Sequence, residues 1–330
     1  MIRKLALIAC LLTVCITAAS AFIRHWQGGT GCEARADCAR ATAAASASGA
    51  SGAQAAQAAQ AARGAQAAES GETPTPVLLA RVAHRIAAML VGIIAIVLVF
   101  VGWSRLEPGE RVAAAIAFAL TAGLAWLGLH TPSELPLVTV GNVAGGFALA
   151  AAFAWVAAGS TRSDAPRPAA PRTGSALAWT ALGTLIAMTV LGVLIGARGA
   201  LDGCPELLCL PQGLPQPGLF DPRVPSLVAD ASGAQALHLV HRIAGILLAV
   251  LVLGVALRLG ARLDGRGERI LCVAVCLGLL LQAGFGAAIA GGVAASPAGA
   301  AAHNAVAALL AVALAALARR SAPNVRGGGQ

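Results

Sequence analysis

Eight long apolar runs constrain the fold of this chain more than any other feature of its sequence. Each run holds at least 18 residues, and together they cover about residues 5–22, 77–101, 110–130, 136–157, 175–197, 234–257, 269–292 and 299–318. About 20 helical residues cross a bilayer, so runs of this length are typical of membrane-spanning helices. A helix also satisfies its backbone N–H and C=O groups internally, which lipid cannot do. The pattern predicts an all-α polytopic membrane protein with eight transmembrane helices.

Composition and charge exclude an ordinary soluble domain and argue against a nucleic-acid partner. Hydrophobic residues make up 58% of the chain and charged residues 11%, with a net charge of +9. The positive charge is concentrated at the termini and in three connections between runs, at Arg3, Lys4, Arg105, Arg111, Arg162, Arg167, Arg172, Arg258, Arg262, Arg266, Arg269, Arg319, Arg320 and Arg326. Because lysine and arginine concentrate in cytoplasmic loops, we expect both termini and these connections in the cytoplasm, with membrane lipid around the spans.

A short repeat divides the chain into two halves. The word His-Arg-Ile-Ala occurs at 84–87 and at 241–244, 157 positions apart, and each copy opens a long apolar run. Such self-similarity is typical of a duplicated unit. We expect two four-helix bundles, and the repeat is parallel because four spans return the chain to the side on which each half begins. The predicted domains are an N-terminal half at 1–160, a cytoplasmic linker at 161–174, a C-terminal half at 175–320 and a tail at 321–330.

Two segments of the first half have a composition that affects the count of its spans and loops. Residues 41–71 consist mainly of Ala, Gln, Ser and Gly, which cannot build a core, so we expect a flexible insertion in the first outer loop. Residues 1–22 have a basic start, an apolar middle and Ala19-Ser20-Ala21, a pattern that also fits a cleaved signal peptide. Cleavage would leave three spans against four, so we favour a retained first helix.

Four cysteines form one close pair in each half. Cys32 and Cys38 lie in the predicted first outer loop, and Cys204 and Cys209 lie in the third. On an oxidising face such pairs indicate two short disulfides, whereas a zinc site is the alternative. The remaining cysteines lie within spans and are interpreted as small apolar packing residues, namely Cys10, Cys15, Cys272 and Cys276.

Two histidines of the second half are predicted to lie at similar depth near the outer face. His241 lies on the sixth span and His303 on the eighth, and both spans run from outside to inside. Two facing imidazoles in a helical bundle are a natural axial pair for haem iron, so we predict haem ligation by this pair. The alternative is a pair of hydrogen-bonding residues between helices.

Two residues close to His241 in the sequence also have predicted roles. Arg242, like Arg85 in the first half, is suited to haem propionates, although an arginine near a span end also extends its charged end to the interface. His238 shares the face of His241 and is interpreted as a supporting or packing residue rather than a ligand.

The first half has an incomplete version of the same pattern. His84 corresponds to His241, Arg81 to His238 and Asn142 to His303; His84 and Asn142 are 58 residues apart, and His241 and His303 are 62 apart. A permanently bound cofactor needs both axial positions, whereas a pocket that exchanges or modifies its haem tolerates one.

Two further histidines flank these spans. His130, at the end of the third span, is either a substitute ligand or an interfacial residue. His25 is expected to be solvated, because it lies just beyond the first apolar run.

Taken together, these motifs resemble the haem A synthase family of polytopic membrane proteins, over most of the chain except 41–71 and the tail. The resemblance rests on the two His-Arg starts, on His303 and on the order of the cysteine pairs. Cys204-Pro205-Glu206 to Cys209 is similar to that family's outer loop, and Gly31-Cys32 to Cys38 is a looser version. The segment 123–146, with its Leu-Gly-x-x-Thr and Gly-Asn-x-x-Gly-Gly patterns, is also similar.

The resemblance implies a function for each half. The second half would hold haem b through His241 and His303. The first half would bind haem O and oxidise its C8 methyl group to the formyl group of haem A, with His84 in the catalytic position and Arg85, His130 and Asn142 near the substrate. The product would serve terminal cytochrome oxidases. Implied partners are a haem O-producing farnesyltransferase and cytochrome oxidase assembly factors, and the implied location is the bacterial cytoplasmic (inner) membrane.

Two departures from the family pattern fall in the catalytic half. Arg81 stands where the family commonly has glutamate, and Asn142 stands where it commonly has a second histidine. A bis-histidine haem b protein that transfers electrons or binds haem, without synthase activity, is therefore a competing hypothesis. A transporter or haem carrier is a third, and the parallel orientation of the two halves disfavours it.

Overall fold

The structure is a computed structural model that describes residues 1–26, 75–130, 136–159, 172–201, 203–204, 206, 208–225, 227–260, 266–293 and 296–321. Within these ranges every regular element is helical, which confirms the all-α prediction. Eight helices of the described chain are long and apolar enough to cross a membrane, as the apolar runs predicted. The predicted insertion at 41–71 lies outside the described residues, and the domain boundaries remain a prediction.

The helices, numbered in chain order, are α1 (Ile2–Trp26), α2 (Thr75–Ile96), α3 (Pro108–His130), α4 (Pro136–Ala157), α5 (Arg172–Ala197), α6 (Ala231–Gly260), α7 (Arg266–Ala290) and α8 (Pro297–Arg320). Helix α2 continues as a π-helical turn, Val97–Val101, which lengthens its span.

Proline marks the start of several of these helices. Pro108, Pro136 and Pro297 are the first residues of α3, α4 and α8. A proline at this place loses no hydrogen bond, because the first N–H groups of a helix have no partner within it. In α8 the Ser296 hydroxyl accepts a hydrogen bond from the Gly299 N–H at 3.0 Å and caps the end.

Each set of four helices packs as a closed ring. In the first half α1 contacts α2, α2 contacts α3, α3 contacts α4, and α4 contacts α1; in the second half α5 to α8 repeat this order. Helices α2 and α4 therefore lie diagonally across one ring, and α6 and α8 lie diagonally across the other. The two rings meet where α8 contacts α1 and α4, and where α4 contacts α5.

The helices differ in how much of their surface the protein itself covers. In the most apolar window of each span, 56% of residues are buried in α4 and 50% in α8, but only 11% in α3 and in α7. Alanines that allow close helix approach line the buried side of α8, including Ala308, Ala311 and Ala315. Helices α4 and α8 thus form the centre of the protein, and α3 and α7 expose large apolar side chains such as Ile116 and Leu280 to lipid.

Ion pairs join the two halves at the face where α1 begins and α8 ends, here called the termini face. Glu110 at the start of α3 has no exposed surface, and its Oε1 lies 3.2 Å from Arg3 of α1 and 3.6 Å from Arg319 of α8. Arg319 also donates to Glu107 at 2.6 Å. A Cβ at Gly159 would overlap the Glu110 carboxylate, so only glycine fits there. A single buried carboxylate therefore connects three helices.

We expect Glu110→Ala to destabilise the protein by about 3 kcal/mol, because Arg3 loses its buried counter-charge while Arg319 keeps its ion pair with Glu107. The measurement is the free energy of unfolding in detergent micelles. Glu268→Ala is the matched control: Glu268 begins α7 as Glu110 begins α3, but its distance to Arg320 is 3.9 Å and the arginine is 35% exposed. The control should cost under about 1 kcal/mol; equal losses for both variants would contradict the assigned role of Glu110.

Candidate functional site

A buried arginine organises the loop between α5 and α6, at the face opposite the termini face. Arg198 has no exposed surface. Its guanidinium donates to five backbone carbonyls, at Gly218, Leu219, Asp221, Val224 and Leu227, over distances of 2.6–3.5 Å. Burial lowers the pKa of Arg198, and the charge of Asp221 opposes that effect. Because guanidinium is not deprotonated in proteins, the five carbonyls compensate a buried charge.

The same loop contains the predicted disulfide of the second half. Cys204 and Cys209 are bonded, with Cα atoms 5.7 Å apart, which confirms that pairing. The predicted pair Cys32 and Cys38 lies outside the described residues. The cysteines predicted to lie within spans are free thiols: Cys10 and Cys272 are buried, Cys276 is half-buried and Cys15 is exposed.

Arg242 of α6 contacts this disulfide loop. Its guanidinium donates to the carbonyl oxygens of Cys204 at 2.9 Å and Glu206 at 2.6 Å, and Nη1 lies 2.9 Å from Cys204 Sγ. One turn earlier, the buried His238 ring shares a hydrogen bond of 2.8 Å with the carbonyl of Ala200. Both residues flanking His241 therefore connect α6 to the loop above it.

His241 lies ten residues into α6, about 15 Å from its start. The ring lies close to the backbone of Met188 on α5. It also packs on the same helix at Gly192, where a Cβ would lie 3.7 Å from its Cε1. Its Nδ1 is buried and has no hydrogen-bond partner in the described part of the chain.

His303 lies six residues into α8, about 9 Å from its start. Its Nε2 is 2.9 Å from Nε2 of Gln282 on α7, and its Nδ1 is buried without a partner. A Cβ at Gly286 of α7 would lie 3.5 Å from its Cε1. The imidazoles of His241 and His303 are close enough to interact electrostatically. Helix packing thus places both rings in the interior of the second ring of helices.

The pair of histidines fits an iron-bearing macrocycle. Each imidazole has one nitrogen without a partner in apolar surroundings, which is costly unless a ligand uses it. Among the described residues no three His, Cys, Asp or Glu side chains cluster as ligands for a bare metal ion. A haem needs only two protein ligands, because its porphyrin supplies the others.

The residues predicted around the first-half site lie on facing helices. His84 on α2 and Asn142 on α4 are both half-buried, on diagonal helices, whereas Arg85 is exposed. Arg24, in the last turn of α1, is close enough to His84 to interact electrostatically. His130 ends α3, and its side chain lies outside the described part of the chain.

His25 lies differently from its expected solvated position. Helix α1 extends to Trp26, so the histidine is within the helix and half-buried. It is close enough to His303 to interact electrostatically, because α1 packs on α8. The prediction of a solvated side chain was wrong because the helix continues past the apolar run.

Sequence reasoning missed Arg198, Arg24 and Gln282. Arg198 gave no signal, since a cation just after an apolar run is ordinary at an interface. Gln282 did give one: it is an amide within the apolar span α7, where an unpartnered polar group is costly.

We expect Arg198→Met to loosen the loop, because five carbonyls lose the guanidinium, and an unpaired buried carbonyl such as that of Leu219 costs about 1–3 kcal/mol. The measurement is hydrogen exchange of the amides at 216–229, which should become faster. Arg223→Met is the control on the same loop, since Arg223 bonds only Asp221 in the described chain and its side chain is 77% exposed. Equal protection in both variants would contradict the role of Arg198.

Comparison with known proteins assigns the chain to a family. No curated protein matches it. The family model COX15-CtaA, described as a cytochrome oxidase assembly protein, matches residues 3–315 and thus covers both rings of helices. The chain therefore belongs to the COX15-CtaA family of cytochrome oxidase assembly proteins, the haem A synthase family.

Proposed function

We propose that this protein is a haem A synthase that oxidises the C8 methyl group of haem O to the formyl group of haem A. The observation that carries the proposal is the pair His241 and His303, whose buried Nδ1 atoms have no hydrogen-bond partner among the described residues. Family membership supports the general role in cytochrome oxidase assembly. The resemblance of the two halves supports a second haem-sized site in the first half.

The second half would hold haem b through His241 and His303. Helix α5 packs on the first imidazole at Gly192, and α7 packs on the second at Gly286. When bound, haem b supplies one-electron transfer. From the sequence, Arg242 was predicted to pair with the haem propionates. We propose that it acts on haem b indirectly, because its guanidinium donates to the loop carbonyls of Cys204 and Glu206.

The first half would bind haem O as substrate. His84 would position it, with Arg85, Asn142 and His130 nearby as predicted, and Arg24 would contribute positive charge close to His84. Asparagine does not ligate iron well, so the pocket offers one strong ligand. A single ligand suits a substrate that must enter and leave.

The proposed orientation places the termini face in the cytoplasm of a bacterial inner membrane. Supporting it are Arg3, Arg319 and Arg320 at that face, together with the arginines of the adjoining connections. The disulfide Cys204–Cys209 would then face the oxidising side. Partners proposed for this arrangement are the farnesyltransferase that makes haem O and cytochrome oxidase assembly factors.

Haem extraction from the purified protein tests the cofactor. We expect haem b in the wild type and its loss in His241→Ala and in His303→Ala, measured by chromatography and absorption spectrum. His238→Ala is the control, because that ring is held by Ala200 and is not proposed as a ligand. Retention of haem in both ligand variants would refute the assignment.

Conversion of the substrate tests the reaction. In a host without its own haem A synthase, the wild-type gene should convert accumulated haem O to haem A, and His84→Ala should abolish conversion while leaving haem b bound. If the wild-type protein binds haem b reversibly but leaves haem O unchanged, the alternative holds: a bis-histidine electron-transfer or haem-binding protein without synthase activity.

A further inference from the structure

Gln282 is a polar side chain that the proposed reaction leaves unexplained. It lies in the apolar helix α7, eight residues before the helix ends and about 12 Å from that end, a depth between those of His241 and His303. Its Nε2 lies 2.9 Å from Nε2 of His303, while its Oε1 is buried without a partner. A buried amide in such surroundings is costly unless it has a specific role.

The two halves can be aligned at this helix. The word Gly-Glu-Arg begins α3 at 109–111 and α7 at 267–269, an offset of 158 positions. With this offset Gln282 corresponds to Leu124. The Leu124 side chain packs on α4, where its Cδ2 lies 2.8 Å from the place of a Cβ at Gly145. In both halves this position therefore faces the helix that carries Asn142 or His303.

The residue at this position differs between the halves, and so does the residue on the neighbouring helix. The Gln282 amide lies beside the imidazole of His303. The corresponding Leu124 is apolar and packs on the helix that carries Asn142, which is a poor ligand for iron. Leucine and glutamine fill similar space, so packing alone does not require the amide in the second half. The amide is required if the imidazole of His303 is to have a hydrogen-bond partner.

An imidazole that binds iron through one nitrogen needs a hydrogen-bond acceptor for the N–H of its other nitrogen. Such a partner fixes the tautomer and the ring orientation, and it raises the basicity of the ligand. Amide oxygen and nitrogen exchange places by a half-turn of the side chain. In that orientation Gln282 Oε1 accepts a hydrogen bond from the Nε2–H of His303, and the other ring nitrogen keeps its lone pair. The amide nitrogen then takes the place of the oxygen as the group without a partner among the described residues.

We propose that Gln282 is a positioning residue that holds His303 in the tautomer and orientation needed for axial ligation in the second half. This inference rests on the proposed haem site of His241 and His303. It also accounts for the unequal halves: the second has a ligand with its support, and the first, with Asn142 and Leu124, lacks both.

The test compares Gln282→Leu, which introduces the residue of the first half, with Gln282→Glu, which offers a stronger acceptor. The full-length protein is purified in detergent, and the rate of haem transfer to apomyoglobin is measured together with the reduction midpoint potential. We expect Gln282→Leu to hold haem about 10–100-fold more weakly. Its midpoint potential should rise, and that of Gln282→Glu should fall, because ligand basicity decreases in one and increases in the other.

Leu281→Ala is the matched control, since Leu281 is 55% exposed on the same helix and should leave both quantities unchanged. Wild-type retention and potential in Gln282→Leu would overturn the inference while the haem site stands. If Gln282→Leu does not accumulate, an unchanged potential in Gln282→Glu overturns it. A wild-type protein without haem refutes the proposed function, and the inference with it.

Discussion

Every polar group in a membrane-embedded bundle must find its partner within the protein, because lipid offers none. The described chain meets this requirement almost throughout: Glu110 pairs with two arginines, and Arg198 with five carbonyls. The exceptions among buried side-chain atoms of the described residues are Nδ1 of His241, Oε1 of Gln282, Nδ1 of His303 and Nε of Arg319. The first three lie within the second ring of helices, and this concentration marks the candidate site.

The ring arrangement determines which helices carry the two proposed ligands and which helices pack beside them. Neighbouring helices pack closely, whereas α6 and α8 lie diagonally across the ring, and each carries one buried imidazole nitrogen, at His241 and His303. Helix α5 packs on His241 at Gly192, and α7 places Gln282 beside His303. Two helices of the ring thus carry the proposed ligands, and the other two pack against those ligands.

The loop on the disulfide face is coupled to the same site through α6. His238 and Arg242 contact Ala200, Cys204 and Glu206, and His241 lies between them on the helix. Arg198 in turn fixes the remainder of the loop. The position of this loop therefore depends on α6, the helix that carries the proposed ligand His241. Helix α1 adds a link between the halves, with Arg24 near His84 and His25 near His303.

The sequence by itself determined the class of protein, the eight spans, the pairing of Cys204 with Cys209 and the correspondence of the halves. These properties follow from run length, residue spacing and repetition, which are local features of a chain in lipid. Only the tertiary structure decided that α6 and α8 lie diagonally, that Arg242 donates to the disulfide loop, that His25 is half-buried, and that Gln282 accompanies His303. Contacts between residues such as Gln282 and His303 depend on helix rotation, and helix rotation is set by packing among neighbours that no single span specifies.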